Sequence, residues 1–534
     1  MMNWLRKRTS LAPLVALGAW GAGLSAWAAT TGPVLSATDI INTQCVACHT
    51  RNGDQVNRLQ QRKTPEGWLM TLNRMRVVHG AKLSPDEVKT VVKHLADTQG
   101  LAPAEAQPAR YAMERRLNTI ESHKTEQFAQ MCARCHSGAR VELQRRPVSE
   151  WEHLVHFHVG QFPTIEYQAM GRDRDWVPIA LKEMVPWLAQ NYPLETQAWT
   201  DWKAKAPISP TGTWTVAGNW PGKGEYAGQM EIRADASADR YAVDFKGTFA
   251  DGSPLAGSGQ AIVYTGYEWR ADLDLNGVKM RQVLALDGDQ LKGRLFERDH
   301  DEIGADLTAA RQGAGQPRVL AVQPGHIRTG ETATLRIVGT GLDGEVKLPR
   351  GLTLVETVSR DAQQLVLKVA ATQAAPRGLK PLAVGGAKAQ LAVFSRIDYV
   401  KVSPDYAIGR IGGNGGSTPV VQGRFEAIAH SAGRDGKKGT RDDWVIGPVP
   451  ATWSVEPFDA TALHDRDAEF AGIMNPDTGV FTPAGAGPNP KRRMSTNNAG
   501  NLNAVATVKE GGKALVGKGH FIVTVQRWNN PPLP

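Results

Sequence analysis

The chain has 534 residues, enough for several domains, and its 62 Lys and Arg against 53 Asp and Glu give a formal net charge of +9. Both signs of charge are spread along the sequence, and the densest basic cluster is the short run Lys491-Arg492-Arg493. Nucleic-acid-binding proteins typically carry a longer basic stripe, so the charge distribution argues against that class of protein. A mildly basic surface would suit an acidic redox partner, and a surface with no such role is the simpler interpretation.

The N-terminus has the pattern of a secretory signal peptide. Arg6-Lys7-Arg8 precede an apolar stretch from Leu11 to Leu24, and Ala26-Trp27-Ala28 fits a small-residue cleavage site. We therefore predict a signal peptide over residues 1–28, with an uncleaved membrane anchor as the alternative. Nothing downstream is long and apolar enough to span a membrane. An exported, periplasmic mature protein without a membrane span is expected.

The four cysteines form two C-x-x-C-H motifs, Cys45-Val46-Ala47-Cys48-His49 and Cys132-Ala133-Arg134-Cys135-His136. This motif is the attachment signature of c-type haem. Residues three and four apart share one face of a helical turn, so two sulfurs can form thioethers while the histidine reaches the iron. Three alternatives fit less well. A redox dithiol usually lies in a βαβ unit, and two C-x-x-C pairs that share one zinc are closer together in the sequence. Two vicinal disulfides would leave both histidines unexplained. The sequence therefore predicts two covalently bound haems.

An internal repeat surrounds the two motifs. Thr64-Pro65 begins a helix that carries Trp68, and Ser84-Pro85-Asp86-Glu87 forms a capping box before a closing helix. After the second motif, Trp151 is predicted to open the corresponding helix, and residues 184–189 echo residues 91–96. Each unit is thus predicted to be a small helical cytochrome, over about residues 36–105 and 120–195.

The repeat also nominates the distal iron ligands, because Met75 follows Trp68 by seven residues and His158 follows Trp151 by seven. Methionine and histidine are the usual sixth ligands in electron-transfer cytochromes. The sequence predicts His49 and Met75 at the first iron and His136 and His158 at the second. Thioether ligation raises the reduction potential, so electrons would run from the second haem to the first. The alternatives left open are Met70 and His79 at the first haem, and His153, His156 and Met170 at the second.

The rest of the chain changes to short alternating segments with glycine-rich turns. Trp269, Ala271, Leu273 and Leu275 alternate with polar residues, as in a half-buried strand. We predict a multidomain protein: an all-α dihaem domain over residues 29–206, followed by three all-β domains. These are an antiparallel β-barrel over residues 207–312 and immunoglobulin-like β-sandwiches over residues 317–396 and 397–534.

This order of parts resembles the α subunit of quinohemoprotein amine dehydrogenase. The features that carry the resemblance are the two C-x-x-C-H motifs, the segment from Trp68 to His79, and the three β domains. The resemblance implies a periplasmic αβγ heterotrimer that oxidises primary amines to aldehydes and ammonia. In that family a β-propeller β subunit completes the assembly, and a γ subunit carries cysteine tryptophylquinone. The dihaem subunit passes electrons to a soluble cytochrome c or blue copper protein.

All four cysteines lie in the two motifs, so this chain cannot form a cysteine–tryptophan cross-link without giving up a haem attachment. We therefore expect no catalytic residue here and assign substrate chemistry to another subunit. Two other classes remain open at this stage. One is a stand-alone dihaem enzyme such as a peroxidase, and the other is a cytochrome c subunit of a different periplasmic dehydrogenase.

Overall fold

The computed structural model of the protein describes residues 35–53, 55–110, 121–168, 171–313, 315–361, 363–412 and 420–525. The predicted signal peptide and Met170 lie outside these ranges. Within them, an N-terminal domain of short helices is followed by all-β domains, the first of which is a closed barrel. In the described ranges, the helices are all too short or too polar to cross a bilayer.

The N-terminal domain is mainly helical, and π-helical segments Ile41–Cys45 and Ala180–Met184 follow its first and eighth helices. The prediction of an all-α domain was too strict, because two-residue strands β1 (Arg51–Asn52), β2 (Gln55–Val56), β3 (Arg62–Lys63) and β4 (Gln144–Arg145) are also present. Its helices are α1 (Ala37–Ile40), α2 (Pro65–Val77), α3 (Pro85–Thr98), α4 (Pro103–Ala106), α5 (Glu126–Cys132), α6 (Ala139–Glu142), α7 (Val148–Gln161), α8 (Trp176–Ile179), α9 (Val185–Asn191) and α10 (Gln197–Lys203).

The predicted helix starts of the first repeat are confirmed. The Thr64 hydroxyl caps α2, and Ser84 forms a capping box with Glu87 at α3. In the second repeat α7 begins at Val148, three residues before the predicted start at Trp151. Pro147 immediately precedes it in an extended conformation, and a proline commonly marks where a helix can begin.

The two repeats are joined by strands β3 and β4, which pair antiparallel with Arg62 opposite Arg145. Each of these arginines stands six residues before the tryptophan of its repeat, Trp68 or Trp151. Both tryptophans are fully buried. The repeats therefore meet at equivalent positions, immediately before the helices α2 and α7.

The barrel is formed by eight antiparallel strands that close in the order β10-β11-β12-β5-β6-β7-β8-β9. Trp269, Ala271, Leu273 and Leu275 all lie in its apolar core, which confirms the predicted alternation. The strands are β5 (Gly212–Trp220), β6 (Gly224–Ala234), β7 (Arg240–Phe249), β8 (Pro254–Tyr264), β9 (Glu268–Leu275), β10 (Val278–Asp287), β11 (Gln290–Glu297) and β12 (His300–Arg311).

The third region packs two four-stranded sheets, β13-β15-β18-β17 and β14-β20-β19-β16, around one apolar core. The last region has separate sheets β21-β24-β25, β22-β30-β29-β26 and β23-β28-β27 around another. The third region is all-β, and the last region has two short helices besides its strands. The immunoglobulin-like topology of both regions stays a prediction. The strands are β13 (Arg318–Gln323), β14 (His326–Arg328), β15 (Thr332–Thr340), β16 (Val346–Lys347), β17 (Leu352–Arg360), β18 (Gln364–Ala371), β19 (Gly378–Val384), β20 (Ala387–Phe394), β21 (Tyr399–Ser403), β22 (Tyr406–Arg410), β23 (Gly423–Arg424), β24 (Glu426–Ser431), β25 (Trp444–Val449), β26 (Thr452–Pro457), β27 (Gly472–Met474), β28 (Val480–Pro483), β29 (Gly500–Glu510) and β30 (Lys513–Thr524), with helices α11 (Ala460–His464) and α12 (Asp467–Phe470) before β27.

A buried network of ion pairs connects the N-terminal domain to the outer face of the barrel. Arg270 of β9 donates to Glu66 of α2 at 2.6 and 3.1 Å and lies 2.7 Å from Glu268. Arg110 lies 3.5 Å from the same Glu268 carboxylate. Burial would raise the pKa of Glu66, but the charge of Arg270 and its hydrogen bonds lower it overall. The carboxylate is therefore held ionised in the domain interface.

We expect Arg270→Met to lower the free energy of unfolding by about 3–5 kcal/mol, because two buried carboxylates lose their shared partner. Urea unfolding followed by tryptophan fluorescence measures this change. The matched control is Arg233→Met on the same barrel, since Arg233 is half exposed and its ion pair with Asp244 should contribute less than about 1 kcal/mol. Equal effects of the two substitutions would contradict the structural role given to Arg270.

Candidate functional site

The first motif occupies one turn of backbone at the end of a helical segment. The His49 amide donates to the Cys45 carbonyl at 2.9 Å, and the Cys48 amide donates to the same oxygen at 3.2 Å. Cys45 is half-buried and Cys48 is exposed. Burial raises the pKa of the Cys45 thiol. This environment disfavours a thiolate and accepts an uncharged thioether.

His49 is half-buried, and its pKa is lowered first by burial and then by the positive charges of Arg58 and His79. A neutral imidazole is the form that binds a metal. Among the candidate partners, Met75 of α2 is half-buried, whereas Met70 and His79 are exposed. Met75 is therefore the best shielded of the three candidates.

The second motif departs from a helical turn. Helix α5 ends at Cys132, and residues 133–136 form bends. The segment after the motif is held by Glu121, whose carboxylate accepts from the Ser137 hydroxyl at 2.5 Å and the Gly138 amide at 2.8 Å. Burial raises the pKa of Cys132 to about 12. This sulfur is also in surroundings that favour an uncharged form.

His136 and His158 face each other with ring centroids 6.4 Å apart and ring planes 32° apart. The His136 Nδ1 donates to the Ser137 carbonyl at 2.9 Å, and the His158 Nδ1 donates to the Leu154 carbonyl at 2.7 Å. With the proton on Nδ1, each ring keeps its Nε2 lone pair available. Burial is the main cause that lowers the pKa of both histidines, so both are neutral near pH 7.

The 6.4 Å separation of the two ring centroids is compatible with one metal ion bound by both imidazoles, because a metal–imidazole bond is about 2 Å long. The other two histidines of α7, His153 and His156, are exposed. His153 is also engaged with Glu150 and Arg58. The remaining sequence candidate, Met170, lies outside the described residues.

Sequence reasoning missed two contributors to the second site. Trp176 packs against His158 with ring centroids 5.7 Å apart and donates its Nε1 proton to the Met131 carbonyl at 3.1 Å. Arg134, inside the second motif, forms two hydrogen bonds of 2.9 and 3.0 Å to Asp173. Both Trp176 and Asp173 lie in the insertion that the first repeat lacks, so no repeat position could have nominated them.

The two repeats are held together by Glu105 of α4. Its carboxylate accepts from Arg62 at 2.8 and 2.9 Å and from Arg145 at 3.1 Å. Burial would raise the pKa of Glu105, but the hydrogen bonds and charges of these two arginines lower it to about 2. Glu105 therefore joins the two repeats as a carboxylate.

The two motifs, the closed barrel and the further β domains together define a multidomain haem-binding protein. Four family models match the chain: the haem-binding domain of quinohemoprotein amine dehydrogenase alpha subunit over residues 35–199, and domains II, III and IV of that subunit over residues 208–312, 316–395 and 400–533. The chain belongs to the family of quinohemoprotein amine dehydrogenase alpha subunits.

No curated protein matches the chain. Among solved structures, a redesigned β-barrel is 26% identical and covers 19% of this chain and 90% of its own, with a TM-score of 0.17. A Bacteroides ovatus protein of a mixed-linkage glucan utilization locus, solved with a heptasaccharide, is 12% identical and covers 60% of this chain and 65% of its own, with a TM-score of 0.16. These TM-scores are too low to support any functional inference.

We expect Glu105→Gln to remove a pH-dependent part of the stability. The folded-state pKa of about 2 lies below the ordinary 4.5, so the contribution is complete above about pH 4.5 and is lost as pH falls toward 2. The variant should be less stable by about 3 kcal/mol at pH 7 and should approach the unmodified protein near pH 2. Unfolding measured at pH 7, 4 and 2.5 checks this.

The control is Glu152→Gln, which removes an exposed carboxylate from α7 and should change stability by less than about 0.5 kcal/mol. A stability difference between the Glu105 variant and the unmodified protein that stays constant with pH would contradict the role of its charge.

Proposed function

We propose that this chain is the electron-transfer subunit of a periplasmic amine dehydrogenase complex and carries two covalently bound c-type haems. The observation that carries the proposal is the facing pair His136 and His158, with both Nδ1 protons already donated to carbonyls. The two C-x-x-C-H motifs supply the attachment groups. Bound haem iron supplies one-electron oxidation and reduction.

The residues of this chain would each have a defined role. The four cysteines would form the thioether links, and the proposed axial ligands are His49 with Met75 and His136 with His158. Ser137 and Leu154 would hold the two second-site imidazoles by their Nδ1 protons, which orients each Nε2 lone pair. Trp176 would limit the rotation of His158 by packing against its ring.

The amine chemistry is assigned to a different polypeptide. The family membership supports an αβγ heterotrimer with a β-propeller β subunit and a γ subunit carrying cysteine tryptophylquinone. This chain has no cysteine outside its two motifs with which to form that quinone. Oxidation of a primary amine to aldehyde and ammonia releases two electrons, and two one-electron centres can accept them in succession. A soluble cytochrome c or blue copper protein is the proposed acceptor.

We expect Met75→Ala to abolish the thioether-to-iron charge-transfer band of the oxidised protein and to lower the potential of the first haem, because a sulfur ligand is lost. Visible spectroscopy and a spectroelectrochemical titration measure both changes. Met70→Ala is the matched control and should leave the band in place, since Met70 is 42% exposed. A band that survives Met75→Ala would shift the assignment to Met70 or Met170, and its loss in Met70→Ala would select Met70. No band in the unmodified protein would favour His79.

We expect primary amines not to reduce the isolated haem-loaded chain, because each iron would be held by two axial side chains of this protein, which would leave no position for substrate, and the two-electron cofactor is assigned to another subunit. Rapid mixing with butylamine, followed by haem absorbance, tests this. Adding the β and γ subunits should restore amine-dependent reduction. Prompt reduction without any other polypeptide would favour a self-sufficient enzyme over an electron-transfer subunit.

A further inference from the structure

Three basic side chains cluster where the two repeats meet: Lys63 of β3, Arg74 of α2 and Arg146, which follows β4. We call them the cation cluster. Burial is the first cause that lowers the pKa of Lys63 and of Arg146, and the charge of Arg74 lowers both further. The Arg74 guanidinium lies over the ring of Phe157, which precedes His158 in α7, and Arg146 lies over Trp151 of the same helix. The cluster therefore lies against the helix that carries the proposed distal ligand.

The cluster is built by the repeat. Lys63 and Arg146 each stand five residues before the tryptophan of their repeat, and each lies over that ring, at 5.0 Å from Trp68 and 5.5 Å from Trp151. Lys63 is 2% exposed and Arg146 is 5% exposed. Both repeats therefore place a buried cation at the same point, and the antiparallel pairing of β3 with β4 brings the two points together.

The partners of the cluster among the described residues are mostly neutral. Lys63 donates to the Thr71 hydroxyl at 2.8 Å, and Arg146 donates to the Gln144 side-chain oxygen at 2.7 and 3.1 Å. The guanidinium of Arg74 lies over the Phe157 ring at 4.5 Å. Its Nε is buried and has no hydrogen-bond partner in the described part of the chain.

The carboxylate beside the cluster is Glu150, and it is shared. It lies 3.8 Å from Arg146 but 3.0 Å from Arg58, and His153 approaches it at 3.5 Å. The described residues around this point therefore carry more positive than negative charge. Burying an uncompensated cation is costly, so an anion bound here would stabilise the arrangement.

We propose that the cation cluster binds the propionate carboxylates of the second haem, with Arg74 and Arg146 as their direct partners. The proposal rests on the proposed function, which supplies the haem. A guanidinium binds a carboxylate through two parallel hydrogen bonds, and Arg74 has an unused Nε for such a contact. The carboxylates would neutralise the charge that Glu150 leaves unbalanced.

Arg74 then acts across the repeats. It adjoins Met75, the proposed ligand of the first iron, yet its guanidinium lies over Phe157, the residue before His158 of the second. A positive charge near an iron favours the reduced state, because reduction lowers the net charge of the centre. The cluster would therefore raise the potential of the second haem.

The test uses the full chain with both haems and the variants Arg74→Gln and Arg146→Gln. Spectroelectrochemical titration gives the two potentials, and the thioether band identifies the first haem. In each variant we expect the equilibrium constant for reducing the second haem to fall about tenfold, or 59 mV for one electron. Lys89→Gln is the control, because it removes an exposed cation of α3 whose side chain is 67% accessible, and should leave both potentials unchanged.

Three further results decide the proposal. Arg74→Lys keeps the positive charge, so its second-haem potential should lie close to that of the unmodified protein. This comparison holds even if Arg74→Gln fails to retain the second haem. A second-haem potential in Arg74→Lys as low as the one expected for Arg74→Gln would overturn the proposal. Unchanged second-haem potentials in both Gln variants, with two haems retained by mass spectrometry, would also overturn it. A potential of the unmodified protein that varies with inorganic phosphate at constant ionic strength would instead assign the cluster to a free anion. A single haem in the unmodified protein would refute the proposed function itself.

Discussion

The arrangement of the N-terminal domain depends on one carboxylate held between two arginines. Glu105 accepts hydrogen bonds from Arg62 and Arg145, which are opposite each other in the β3–β4 pair. Each arginine lies just before the tryptophan helix of its repeat, so the ion pairs set the relative positions of α2 and α7. Those helices carry Met75 and His158. The geometry between the two proposed iron sites is thus fixed by charge pairing outside both of them.

The barrel also holds helix α2 in place. Glu66, in the first turn of α2, binds Arg270 of β9. The turn after β8 also enters the N-terminal domain, where the Thr265 hydroxyl donates to the Ala96 carbonyl at 2.8 Å and Tyr267 donates to the Leu101 carbonyl at 3.0 Å. Helix α2 is therefore restrained at its start by the barrel and, through β3, by the other repeat. An electron-transfer centre benefits from such rigidity, because a fixed environment undergoes little reorganisation when charge changes.

The sequence predicted the features that depend on local patterns. The two motifs, the caps of α2 and α3, and the inward face of β9 follow from spacing, capping chemistry and period-two alternation. It did not predict the burial of Arg270, which the alternation placed on a polar outer face, because that face is covered by a distant part of the chain. It also missed Trp176, whose contact with His158 arises from an insertion. Contacts between residues far apart in sequence leave no periodic signal.

Strand β17 is an edge strand with exposed apolar side chains. The barrel has no edge strand, whereas β17 lies at the edge of its sheet and exposes Leu354, Val355 and Val358 by 45–55%. An exposed apolar edge can template pairing with another chain. Two register irregularities interrupt β17, and Glu356 places a charge between its apolar side chains. The strand is thereby irregular and charged at the point where a second copy would have to align, which disfavours edge-to-edge pairing while leaving the apolar side chains on the surface.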